Sequence, residues 1–144
     1  MSDNDLIQLY SGRILELAAN IPHLGRLAAP DGTARKRSPL CGSTVTVDVT
    51  VEDGRVTGFA QDVKACALGQ ASAAILGQVV IGRTLTELTA ARDALKAMLK
   101  DAGPIPAAPF SGYEVLLPAR DYKNRHASIL LALDAVCDAV AQAE

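Results

Sequence analysis

The stretch from Thr44 to Val51 constrains the fold more than any other part of the chain. Val45, Val47, Val49 and Val51 alternate with Thr44, Thr46, Asp48 and Thr50. A period of two puts the valines on one face, the pattern of a half-buried strand. Asp53-Gly54 follows at once, a pair suited to the positive φ angles of a type I′ turn. Arg55 to Val63 then returns as the second strand of a hairpin. With Asp53 and Gly54 as the loop, Glu52 faces Arg55 and Val51 faces Val56. The same register opposes Val49 to Gly58, Val47 to Ala60 and Val45 to Asp62. Continued to the open end, it opposes Cys41 to Cys66. Opposed ladder positions lie about 4.5–5.5 Å apart, so the two cysteines are expected within about 10 Å of each other between Cα atoms. In this register Asp48 and Asp62 point to opposite faces and make a poor catalytic carboxylate pair.

The rest of the chain reads mainly as helix. Leu6, Leu9, Tyr10, Arg13, Ile14 and Leu17 recur at helical spacing, which predicts a first helix over 4–19. Residues 20–39 carry Pro, Gly and charge without a sustained period, so a loop is expected there. After Cys66, the run from Ala67 to Val80 reads as a helix rich in small residues. Thr84 and Glu87 form a capping box opening a helix whose core face is Leu88, Ala91, Leu95 and Leu99. Gly103-Pro104-Ile105-Pro106 ends it, and residues 104–122 read as a loop with one helical turn. A last helix is expected over 123–141, burying Ile129, Leu130, Leu133, Val136, Cys137 and Val140. At 144 residues and 49% hydrophobic content, the chain suits a single domain over 1–144.

Several function classes are disfavoured. The net charge is −2 and aromatic residues make up 3% with no tryptophan, so neither a basic surface for nucleic acid nor a stacking platform for bases is expected. No uninterrupted apolar run approaches the roughly 20 residues of a membrane span, and the N-terminus lacks the apolar core of a signal peptide. A cytoplasmic location is therefore expected, where thiols stay reduced. Three cysteines make a poor disulfide framework, which turns attention to metal or sulfur chemistry. GxGxxG, a phosphate-binding P-loop and Gly-x-Ser-x-Gly are all missing from the sequence.

The chemistry-bearing candidates are few. Cys41 sits in Pro39-Leu40-Cys41-Gly42 at the mouth of the hairpin, just after Arg35, Lys36 and Arg37. Cys66 sits just before a helix start, where the helix dipole and unpaired N–H groups favour a thiolate. Cysteines are also often buried small hydrophobes. His126 shares the apolar stripe of the last helix. A lone histidine there is more often structural than a ligand, but two thiolates and an imidazole suit zinc or a cluster iron. Cys137 lies eleven residues beyond His126, about 16 Å along a continuous helix, and is expected in the core. His23 is expected in a loop.

Two segments carry a family resemblance. Pro39-Leu40-Cys41-Gly42 and Ala65-Cys66-Ala67-Leu68-Gly69-Gln70-Ala71-Ser72 resemble the PxCG and GCAxSxAS signatures of the IscU/NifU/SufU iron–sulfur cluster assembly scaffolds. Gly82 and Leu85–Leu88 are similar to the stretch that follows there. Asn20-Ile21-Pro22-His23-Leu24-Gly25, Pro118-Ala119-Arg120 and His126-Ala127-Ser128-Ile129-Leu130 resemble the family's end motifs more weakly. The resemblance implies an α+β fold, with a small antiparallel sheet of three strands built on the hairpin and packed against helices. It also implies a non-enzymatic scaffold that takes sulfur from a cysteine desulfurase, holds iron, a [2Fe–2S] cluster or zinc, and passes the cluster to apo-proteins.

Carried over, the first two family cysteines are Cys41 and Cys66. Ser43 stands where the family has an aspartate. The third cysteine is missing: His126 aligns either with it or with the histidine before it, and in the second alignment Ala127 takes its place. The ligand set implied is Cys41, Cys66 and His126. One alternative is a sulfur acceptor, with Cys66 taking persulfide sulfur from the desulfurase. Another is an interaction module without metal chemistry.

Overall fold

The computed structural model describes residues 11–39 and 42–144; residues 1–10, Leu40 and Cys41 lie outside the described part. In chain order the elements are α1 (Gly12–Ala19), β1 (Gly32–Arg37), β2 (Thr44–Glu52), β3 (Arg55–Lys64), α2 (Ala67–Val79), α3 (Leu85–Lys100), a 3-10 helix (Ser111–Asp121) and α4 (Lys123–Ala143). The strands form one antiparallel sheet in the order β1-β2-β3. This is the expected α+β architecture with three strands. The start of the helix expected over 4–19 lies outside the described residues.

The valine alternation of β2 does what its period demands. Val45, Val47 and Val49 are all buried, and α4 packs across β1 and β2. α2 and α3 flank α4, and α1 packs on α2. Gly32 opens β1 so close to α4 that a Cβ there would overlap the Ala139 carbonyl oxygen. The capping box forms as expected: Glu87 N–H donates to Thr84 Oγ1 at 3.2 Å and Thr84 N–H to Glu87 Oε1 at 3.1 Å.

Three expectations are corrected. First, β1 lies inside the predicted loop. Its residues show no alternation because it is recruited by backbone pairing with β2, from Gly32–Val49 to Arg37–Thr44, and those bonds do not depend on side chains. Second, the hairpin keeps its predicted register only at the turn. Asp53 and Gly54 have φ of 52° and 76°, and Glu52–Arg55 and Val51–Val56 pair as expected. A bulge between Thr50 and Val51 then slips β3 by one residue, so Val49 faces Phe59, Val47 faces Gln61 and Val45 faces Val63. The slip brings Phe59 to the core face with the valines, in place of Gly58. It also puts Asp48 and Asp62 on one face rather than two. The described pairing ends at Thr44–Lys64, so the expected neighbourhood of Cys41 and Cys66 falls on a residue outside the described part. Third, the segment expected to hold one helical turn contains an 11-residue 3-10 helix.

Asp48 faces away from the helices and is buried all the same. The chain between α1 and β1 folds over it, with Arg26 donating through Nε at 2.7 Å and Nη2 at 3.1 Å and the Leu27 N–H at 3.0 Å, and the Thr33 hydroxyl donates from β1 at 2.6 Å. These donors, Arg26 foremost, hold the carboxyl down at about 2. Residues 23–25 run beside β3, with Gly25 N–H donating to the Gln61 carbonyl and Gln61 N–H to the His23 carbonyl, both at 2.9 Å. His23 is thus a loop residue that covers a strand edge, with its ring against Phe59.

α4 qualifies the expectation about membrane spans. At 21 residues it is long and apolar enough to cross a bilayer by length and composition. About two-thirds (67%) of its apolar window is buried within the fold, so its apolar faces are spent on the core.

Candidate functional site

The two segments that carry the cysteine motifs converge on the N-terminal part of α4. β1 ends at Arg37, and a tight turn leads into β2: Ser38 N–H donates to the Ser43 carbonyl at 2.8 Å and Gly42 N–H to the Ser38 carbonyl at 2.9 Å. Gly42 has φ of 71°, the left-handed region where a glycine fits without strain. Cys41 lies outside the described residues, so its separation from Cys66 stays an expectation. Ser43, two positions on, is buried.

Cys66 occupies the N-cap of α2, half-buried, as its place before a helical run predicted. Its Sγ lies 3.5 Å from the Ser128 Oγ. Ser128 is itself buried and donates to the Ser43 Oγ at 3.1 Å. Cys66, Ser128 and Ser43 therefore form one chain of polar atoms linking α2, α4 and the start of β2. In that arrangement the Cys66 thiol donates to Ser128. A thiolate accepts only, so for it the hydroxyl protons must turn the other way, with Ser128 donating to sulfur.

Close packing holds the chain together. A Cβ at Gly69 would lie 2.6 Å from the Ser128 Oγ and 2.8 Å from the Ala65 Cβ. One turn further along, the Ser72 hydroxyl donates to the Ile129 carbonyl at 2.6 Å. The small residues of α2 thus let it ride directly on α4, which places Cys66 against Ser128.

His126 is buried as well, but its described partners lie elsewhere. Its Nε2 is 2.9 Å from the Ala119 carbonyl and 3.0 Å from that of Arg120, at the end of the 3-10 helix. Two carbonyl acceptors put the ring proton on Nε2, and Nδ1 is buried without a partner among the described residues. At about 100° per residue, positions 126 and 128 lie roughly 200° apart around a helix. Ser128, which the apolar stripe did not single out as a site residue, is the α4 side chain that touches Cys66. The only advance signal was a serine within a run of otherwise apolar positions.

Cys137 is buried, with the Thr89 hydroxyl 4.0 Å from its sulfur, and burial pushes its thiol up. Its expected place in the core agrees with this. Lys36, one of the three basic residues upstream of Cys41, lies in β1 and pairs with Asp138 of α4 at 2.6 Å. Among the described residues no three His, Cys, Asp or Glu side chains are grouped to hold a metal ion.

Comparison with known proteins gives a consistent placement. Two curated relatives, the iron–sulfur cluster assembly scaffold proteins IscU 1 and IscU 2 of Archaeoglobus fulgidus, are each 26% identical over 92 residues, covering 63% of this chain. The match spans 60% of those relatives' own length. The crystal structure of a nitrogen-fixing NifU-like protein (N-terminal) from Brucella abortus superposes with a TM-score of 0.93 at 52% identity, covering 96% of each chain. A candidate SUF-system scaffold protein from the thermophile Fervidobacterium islandicum shares the fold, with a TM-score of 0.81 at 18% identity over 93% of this chain and 98% of that one. The model of the NifU-like N terminal domain matches residues 9–140. With that match running through the hairpin, the Cys66 helix and α4, the chain belongs to the NifU-like N-terminal domain family.

Proposed function

We propose that this chain serves iron–sulfur cluster assembly as a scaffold, with Cys66 and Cys41 as its working thiols. Iron, a [2Fe–2S] cluster or zinc is its cargo. The observation that carries the reading is the convergence of the turn before β2, the N-cap of α2 and α4, joined through Ser43, Cys66 and Ser128. Family membership and the names of the Archaeoglobus relatives support it. Thiolates are soft donors that suit iron and zinc. The described donors here are one thiol and two hydroxyls, too few strong ligands for the closed four-ligand set of a structural zinc site. A cysteine desulfurase supplies the sulfur, apo-proteins receive the cluster, and the reducing cytoplasm is the compartment that keeps both thiols competent.

A second reading draws on the hydroxyl pair beside Cys66. The Cys66 thiolate attacks the outer sulfur of the desulfurase's persulfide. A new S–S bond forms at Cys66 Sγ as the partner's S–S bond breaks, and the desulfurase cysteine leaves as a thiolate. Ser128, turned toward the sulfur, donates a hydrogen bond to the anion before and after transfer. His126 has a structural part in both readings: it ties the N-terminal turn of α4 to the end of the 3-10 helix.

Anaerobic reconstitution with ferrous iron and sulfide, read by absorption and bound iron, tests the scaffold role. Cys66→Ser and Cys41→Ser should each lose most of the bound iron. His126→Ala should keep it while losing roughly 1–3 kcal/mol of stability from its buried hydrogen bonds. Full iron binding by Cys66→Ser overturns the scaffold reading; a tenfold or greater loss of iron or zinc affinity in His126→Ala restores the histidine as a ligand. If a desulfurase and free cysteine leave Cys66 without the added mass of one sulfur atom, the acceptor reading fails.

A further inference from the structure

Beside the thiol site, but separate from it, a cleft of about 430 Å³ opens between the end of β1, α3 and the first half of α4. Lys36, Arg37, Arg92, Lys96 and Lys100 line it, against the carboxylates of Asp93 and Asp134. Five cations facing two anions is a local positive excess in a chain whose net charge is −2. Lys36 is paired with Asp138 and Arg92 with Asp93. Arg37, Lys96 and Lys100 are exposed and have no hydrogen bond or ion pair within 4.0 Å among the described residues. The floor is apolar, formed by Ala127, Leu130 and Leu131 of α4.

The spacing of the charges points to the size of the ligand. Arg92, Lys96 and Lys100 follow one another at four-residue intervals along α3. They form a stripe about 12 Å long. Like charges four residues apart cost a helix a few tenths of a kcal/mol per pair; Asp93 and Asp134 offset part of that cost at Arg92 and Lys96, and Lys100 has no ion pair within 4.0 Å among the described residues. A phosphate or a small dicarboxylate is too short to engage the whole stripe. A partner helix with acidic residues at the same four-residue interval meets it along its length, and apolar residues between them reach the floor of Ala127, Leu130 and Leu131.

We propose that this cationic cleft docks an acidic, amphipathic helical segment of a partner protein. Its position gives the docking a use. Ala127 in the floor directly precedes Ser128, the residue in contact with Cys66. Arg37 at the rim directly precedes Ser38, which closes the turn before β2. A segment seated in the cleft therefore abuts both arms of the thiol site. The inference rests on the charge and shape of the cleft and stands whether the thiols carry cluster, iron or sulfur.

The test uses the full chain and a fluorescein-labelled synthetic peptide with Glu at four-residue intervals and Leu between them. The control peptide carries Lys for Glu. Fluorescence anisotropy should show that the acidic peptide binds, more weakly at higher salt, and that the basic one does not. Lys96→Glu/Lys100→Glu should weaken binding at least tenfold. Lys96→Gln/Lys100→Gln should fall between that variant and the wild type. Arg13→Glu/Arg55→Glu, which alters surface charge elsewhere, should bind like the wild type. Circular dichroism confirms folding of these exposed-site variants, and iron reconstitution should be unchanged in the lysine variants. No binding of the acidic peptide, equal binding by wild type and Lys96→Glu/Lys100→Glu, or displacement of the peptide by equimolar tripolyphosphate would each overturn the proposal. The last of these would mark a small-anion site.

Discussion

Gly69→Ala tests whether α2 and α4 approach as closely as the Cys66–Ser128 contact requires. Two effects oppose each other. Alanine is the better helix former, by up to about 1 kcal/mol in a helix interior, and Gly69 is in the first turn of α2, where that gain is smaller. Against this, the added methyl would sit 2.6 Å from the Ser128 Oγ, 2.8 Å from the Ala65 Cβ and 3.2 Å from the Ser128 carbonyl oxygen. The Ser128 hydroxyl can rotate, but the Ala65 methyl and the Ser128 carbonyl cannot, so the helices must separate by several tenths of an ångström. Overpacking of this kind costs roughly 1–3 kcal/mol. The steric term wins, and a net loss of about 1–2 kcal/mol is expected by urea denaturation with an unchanged m-value. The same shift parts Ser128 from Cys66, so the rate of Cys66 alkylation in the native protein should change while that of Cys137 does not. A Gly69→Ala protein as stable as wild type, with unaltered Cys66 reactivity, would refute the argument that close helix contact builds the site.

Two further outcomes follow from buried groups. Arg26, Leu27 and Thr33 hold Asp48 at about 2, below its ordinary 3.8. Its folded value is the lower one, so its contribution is full above about pH 4 and is lost as pH falls through 2. The shift corresponds to about 2 kcal/mol. Denaturation across that window should show this loss in wild type and much less of it in Asp48→Asn, and matching slopes would refute the assignment. In the native protein, iodoacetamide should label Cys66 well before Cys137, which is buried with its thiol pushed up by that burial. Equal rates by mass spectrometry would remove the distinction between a working and a structural cysteine.

Features encoded by near neighbours were legible without coordinates. The valine alternation, the Asp53-Gly54 turn and the Thr84–Glu87 box each depend on residues within four positions of one another. Each appears where the pattern put it. Cys66 at a helix start and Cys137 in the core were legible for the same reason. The family resemblance supplied the sheet on helices, and the fold agrees with it.

What stayed hidden depends on how elements meet. β1 has no apolar period because its place is set by hydrogen bonds to β2, and backbone pairing leaves little mark on side-chain choice. The bulge beyond Val51 brings Phe59 into register with the buried valines of β2, a demand that arises only once helices cover that face, α4 over β2 and α2 against β3. In the same way the sequence placed His126, Ala127 and Ser128 side by side on one helix but could not say which of them meets Cys66. That is decided by the rotation of α4 about its axis, which the whole core around it sets. The close approach allowed by Gly69 then turns Ser128 to the sulfur and leaves His126 on the carbonyls of Ala119 and Arg120. Local sequence thus determined the elements and the reactive thiol, whereas the packing of the core determined the neighbours of that thiol. A helix turns about 100° per residue, so small changes in packing exchange one neighbour for another.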